Sequence, residues 1–138
     1  AIPLTWRWKL QSGADLDLTP SMHWPMPVAT ANVGIDQGPV LVMVEYRVAQ
    51  ANRAALLRAL EDLSHERWRD GGYGWTVFED VVDSNRIVET FYSDSWLEHL
   101  RQHERVTNAD RHLQEKVAGL LQRPPQIVHL MRLSGGRR

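Results

Sequence analysis

Pro39-Val-Leu-Val-Met-Val-Glu-Tyr-Arg-Val48 is the stretch that decides the fold. Val40, Val42, Val44, Tyr46 and Val48 alternate with Leu41, Met43, Glu45 and Arg47. A period of two with one wholly apolar side is the pattern of a strand laid on a core. Working outward, Asn52 to about Trp68 carries Leu56, Leu57, Leu60 and Leu63 at helical spacing, and Gly71-Gly72 stops that helix. Tyr73 to Asp80 is rich in aromatic and β-branched residues and reads as a second strand. Asp83-Ser84-Asn85 is turn chemistry, so Arg86 to Tyr92 returns as a third strand and closes a hairpin. Ser95-Trp96-Leu97-Glu98 fits a capping box that opens a short helix to about His103. Thr107-Asn108-Ala109-Asp110 fits another, whose helix places Val106, Leu113, Val117 and Leu120 on one face and ends at Pro124-Pro125. Gln126 to Leu133 is a fourth strand, and residues 134–138 read as a frayed tail.

The order β-α-β-β-α(α)-β belongs to the α+β class. It predicts a ferredoxin-like split βαβ sandwich, a four-stranded antiparallel sheet with helices on one face. The other face is then bare and carries Leu41, Met43 and aromatics of the second strand. Two such sheets pressed together bury it, so a homodimer closing into an α/β barrel is expected.

Residues 1–38 have a different character. They hold Pro3, Pro20, Pro25 and Pro27 together with Trp6, Trp8 and Trp24, and show no sustained period. This is an extended connector arm that packs on its own domain, a second copy or a membrane surface. The expected organisation is therefore an arm over 1–38, a domain over 39–133 and a tail over 134–138. With 138 residues and a net charge of -1, the chain has no cationic excess for binding nucleic acid. The absence of cysteine excludes a disulfide scaffold, a thiolate metal site and thiol catalysis. No apolar run approaches the ~20 residues of a membrane span, and no signal peptide is visible. A chain starting Ala1-Ile2-Pro3 reads as processed or as a piece of something longer.

Few residues offer chemistry. His99 and His103 are four apart on a helix, a spacing two metal-binding imidazoles can use. No third ligand converges, so they read as a solvated or capping pair and no metal is expected. Glu45, Arg47, Glu89 and His129 lie inside strands, where a polar side chain lines a cavity or meets solvent. Glu89 shares a side with Ile87 and Phe91, which suits either a raised-pKa acid or a buried ion pair with an arginine; the ion pair is the preferred reading. Trp75 and Trp96 suit either an aromatic ligand or core packing, with packing preferred. There is no GxSxG, P-loop or GxGxxG, and Gly71-Gly72-Tyr73-Gly74 lacks the Lys-Ser/Thr and following helix of a phosphate site.

Three strings carry a family resemblance: Asp70-Gly-Gly-Tyr-Gly-Trp-Thr-Val-Phe-Glu-Asp80, Arg86-Ile-Val-Glu-Thr-Phe91 and Ser95-Trp-Leu-Glu-His-Leu-Arg-Gln-His-Glu-Arg-Val-Thr107. Together with Asp17-Leu-Thr-Pro-Ser-Met-His-Trp-Pro25, they make residues 15–133 resemble the C-terminal domain of major facilitator superfamily exporters of the transmembrane secretion effector type. The domain is also similar to antibiotic-biosynthesis-monooxygenase-like proteins, which are dimeric α/β barrels. In that comparison His103 resembles their helix histidine, and Asn52 is a loose match to their asparagine. The resemblance implies membrane helices before Ala1, with Trp6-Arg7-Trp8-Lys9 at the cytoplasmic face of a bacterial inner membrane.

Two functions follow as expectations. One is a non-catalytic accessory or small-molecule-sensing dimerisation domain of a multi-pass exporter, without cofactor. The other is a cofactor-free monooxygenase-like enzyme using the barrel cavity. Candidate ligand-binding residues are Glu45, Trp75, Glu89, Trp96 and His103; none is assigned a catalytic role.

Overall fold

The computed structural model describes residues 37–104 and 108–135, with side chains described outside 102–109. β1 (Val40–Arg47) runs through the middle of the sheet. A single 3-10 turn over Gln50–Asn52 leads into α1 (Arg53–Arg69). β2 (Tyr73–Glu79) and β3 (Arg86–Ser93) form the hairpin, followed by α2 (Trp96–Glu104), α3 (Asn108–Gly119) and β4 (Gln126–Met131). The strands stand in the order β2-β3-β1-β4, and every neighbouring pair is antiparallel. This is the ferredoxin-like α+β sheet that the order of elements predicts.

Alternation along β1 sets the two faces. Val40, Val42, Val44, Tyr46 and Val48 are all buried. Cross-strand register puts Val42 against Phe91, Tyr46 against Ile87 and Val44 against Glu89, so Glu89 lies on the same core face. α1 covers this face with Leu56, Ala59, Leu60 and Leu63, and α3 adds Val117. The stripe differs from the expected one at a single point. Leu57 is 36% exposed, and Ala59 and Arg67 take its place. Positions 56, 60, 63 and 67 make the true helical row, and Leu57 sits at its margin.

α1 ends in a glycine cap that fixes the strand after it. Gly71, at φ 101°, donates to the Trp68 carbonyl at 3.0 Å, and Gly72 donates to the Arg67 carbonyl at 2.7 Å. This is the paired-bond C-terminal motif that needs a left-handed residue. A Cβ on Gly72 would lie 2.9 Å from the Arg67 carbonyl oxygen, so the chain passes too close for any side chain. At α2 the serine half of the capping box is present: Ser95 Oγ accepts the Glu98 N–H at 3.1 Å. Thr107 and Val106 lie outside the described residues, as does the arm over residues 1–36.

No described helix is long and apolar enough to cross a membrane. Among the described residues no helix lies on the second sheet face. It carries Phe78 (54% exposed), Val128 (47%), Leu130 (45%) and Tyr73 (43%), beside the partly buried Leu41 and Met43. Tyr73 stacks on Tyr92 at 5.6 Å between ring centroids.

Candidate functional site

Among the described residues, Glu89 is the one carboxylate buried completely in the core. Four donors converge on it, two per oxygen. Oε1 accepts from the Tyr46 hydroxyl at 2.7 Å and from Arg67 Nη2 at 3.0 Å. Oε2 accepts from Arg67 Nε at 2.8 Å and from Trp75 Nε1 at 2.9 Å. They come from three elements. β1 supplies Tyr46, the last turn of α1 supplies Arg67, and β2 supplies Trp75. The α1 cap places Arg67, whose guanidinium also sits 4.8 Å from the Phe91 ring centroid.

The electrostatics follow from this geometry. Burial alone pushes a carboxyl up, but the Arg67 cation and the donors from Tyr46 and Trp75 outweigh it, and the Glu89 carboxyl is held below its ordinary range. Burial and the adjacent Glu89 anion hold the Tyr46 phenol well above its ordinary value. Burial works against the Arg67 charge, but Glu89 more than restores it. At neutral pH the cluster is therefore an ion pair with a neutral phenol and indole around it. It holds no proton poised to move near pH 7, which general acid–base work would need.

Beside the cluster, α1 and α3 leave a small cleft over the sheet. Tyr46, Leu63, Arg67, Gln114, Val117 and Ile127 line it, with a volume of about 20 Å³. That is room for about one water molecule. Gln114 Oε1 is buried there without a hydrogen-bond partner.

The other residues singled out by sequence lie elsewhere. Glu45 is on the opposite sheet face from Glu89, since its neighbour Val44 is the residue that opposes Glu89. It pairs with Arg86, and with Arg123 at 3.6 Å. Arg47 pairs with Asp83 at 2.5 Å, in the hairpin turn. Trp96 is 9% exposed and packs on two histidines, His99 at 5.8 Å and His129 at 5.7 Å between ring centroids. His99 is fully buried, which corrects its reading as a solvated residue: it faces the sheet from α2, 4.7 Å from the His129 ring. Burial lowers the His129 pKa and favours the neutral imidazole. The His103 side chain lies outside the described residues, so the proposed pairing with His99 does too. Among the described residues no group of three or more His, Asp or Glu gathers as a metal site would require. Asn52 donates to the Leu120 carbonyl at 3.3 Å, tying the start of α1 to the end of α3.

Sequence reasoning found Glu89 and its arginine partnership but not which arginine. Arg67 was legible as the next member of the row Leu56, Leu60, Leu63; a charged residue on a buried stripe implies a buried counter-charge. Tyr46 has no such signal, because an aromatic residue at an apolar strand position reads as core.

Comparison with known proteins agrees with this geometry. Rv0793 of Mycobacterium tuberculosis is 24% identical, with a TM-score of 0.60 over 72% of this chain and 100% of its own. A candidate antibiotic biosynthesis monooxygenase from Caulobacter crescentus is 15% identical, with a TM-score of 0.62 over 72% of this chain and 94% of its own. Another from Nitrosomonas europaea is 16% identical, with a TM-score of 0.61 over 73% and 96%. At these identities the likeness concerns the fold. No curated protein matches the chain. The family described as transmembrane secretion effector matches residues 1–135, nearly the whole length, and the chain belongs to that family.

Proposed function

We propose that this chain is a non-catalytic accessory domain of a multi-pass exporter, carried on the cytoplasmic side of a bacterial inner membrane and dimerising through its open sheet face. The observation that carries the reading is the saturated Glu89 carboxylate. Both its oxygens are committed, and its charge is neutralised by Arg67. The family match supports the attachment to a transporter. The cleft beside Glu89 holds about one water, which leaves capture of a small molecule to a site completed by the second copy or by the membrane helices. Deleting residues 39–133 from the full-length polypeptide is expected to raise the amount of exported compound retained in cells, with the membrane portion still present. Unchanged retention would remove the accessory role.

Dimerisation is the first part to test. Phe78, Tyr73, Val128 and Leu130 expose a band of apolar and aromatic surface across the outer strands, with Leu41 and Met43 between them. A face of this kind marks an association surface. Met43→Asp puts a charge at its centre, in register with Thr90 and Val128. The variant is expected to sediment as a monomer while the wild type sediments as a dimer. A monomeric wild type at concentrations of tens of micromolar would refute the interface, since stable dimers of this size form well below that.

A second reading is a cofactor-free monooxygenase. It draws on structural neighbours from Caulobacter crescentus and Nitrosomonas europaea described as candidate monooxygenases. Oxygen uptake by the domain with phenols or quinols would favour it.

A further inference from the structure

One polar atom in the cleft between α1 and α3 takes no part in the Glu89 cluster. Gln114 stands in the middle of α3 and is 9% exposed. Its Oε1 is buried without a hydrogen-bond partner among the described residues. A buried amide oxygen gives up its hydration on folding, and folded proteins leave few such atoms unmatched. The surroundings narrow what can serve it. Val44, Leu63, Val117 and Ile127 supply much of the apolar wall, and Tyr46 and Arg67 are the polar lining residues besides Gln114. The volume of about 20 Å³ exceeds the ~10–15 Å³ that one water requires and is too small for a molecule of several heavy atoms. A bound water also needs at least two polar partners. The Tyr46 hydroxyl is the second. Its hydrogen goes to Glu89 at 2.7 Å, and its oxygen keeps lone pairs that accept. Gln114 and Tyr46 line the same one-water volume, so a single molecule serves both.

We propose that this cleft is a binding site for one water molecule, which donates one hydrogen to Gln114 Oε1 and the other to the Tyr46 hydroxyl oxygen. The water ties α3 into the Glu89 cluster. The donors to Glu89 come from β1, α1 and β2, and none from α3. Through the water, α3 becomes the fourth element of the network, and the chain of hydrogen bonds runs from Gln114 to water, to Tyr46 and to Glu89. Hydrogen bonds in such a chain polarise one another in the same sense. A hydrogen received on the Tyr46 oxygen strengthens the Tyr46 hydroxyl as a donor to the Glu89 carboxylate. The apolar wall around the site leaves the water few other partners, which holds it in place far longer than a surface water.

The site is tested by NMR of the full chain, with cross-relaxation from the water resonance to the methyl groups of Val117 and Ile127, which line the cleft. A water that stays longer than the protein tumbles gives laboratory-frame and rotating-frame cross-peaks of opposite sign, and such peaks are expected in the wild type. The exchanging Tyr46 hydroxyl can relay a similar signal. Gln114→Leu separates the two, because it keeps Tyr46 and removes the acceptor on α3; the peaks are expected to vanish in this variant. Missing peaks in the wild type, or peaks of undiminished intensity in Gln114→Leu, would overturn the proposal. If the variant does not fold, a crystal structure of the wild-type chain decides. An ordered water within about 3 Å of both Gln114 Oε1 and the Tyr46 hydroxyl upholds the site, and a cleft without one overturns it.

Discussion

Glu89→Gln is expected to destabilise the domain by about 3–5 kcal/mol in urea unfolding, the usual cost of removing one partner from a buried ion pair. The replacement has nearly the same shape, so no cavity contributes. Its amide presents an oxygen to only part of the cluster, and its NH₂ faces donors. Arg67, 7% exposed, then keeps its charge without an anion, and two of the Tyr46, Arg67 and Trp75 donors compete for one acceptor. A loss below about 1 kcal/mol would mean the cluster is hydrated and the pair is of the weak, solvent-screened kind. Acid should act in the same direction. A carboxyl held low in the folded state contributes stability that is present above its ordinary ~4.3 and is lost as the pH falls through the folded value.

Leu60→Ala should cost about 2–5 kcal/mol, the range for deleting a buried leucine side chain in a close-packed core. Leu60 is fully buried in the middle of α1, in a core that includes Val42, Val44 and Phe91 on the sheet. α1 covers the sheet with few large side chains, so Leu56, Leu60 and Leu63 hold it down almost alone. Leu57→Ala, one residue over in the marginal row and 36% exposed, should cost well under that. Equal losses at 57 and 60 would mean that the helix is rotated from its assigned phase.

The difference between those two leucines shows where sequence is informative. Alternation in 40–48 and the hairpin 73–92 specified the sheet, because a one-residue slip would have turned Val42 and Val44 into solvent. The helix phase was less certain. Leu56, Leu57, Leu60 and Leu63 allow two adjacent faces, and only Arg67, locked to Glu89, selects one. Long-range pairs are harder still. Nothing near Arg69 in sequence announces Asp110, forty-one positions on, since the pairing depends on how α3 crosses α1. His99 misled for a similar reason. A histidine on a short polar helix reads as exposed, yet α2 turns that residue under itself against Trp96 and His129.

The protonation state of Glu89 separates a structural ion pair from an acid–base catalyst. It can be read directly from the chemical shift of its side-chain carboxyl carbon, followed from about pH 8 down to the onset of acid unfolding. The expected result is a flat line, an anion throughout the native range, because Arg67, Tyr46 and Trp75 hold the charged form. A titration midpoint near neutrality, in the folded protein, would place a working proton in the core and contradict the non-catalytic reading.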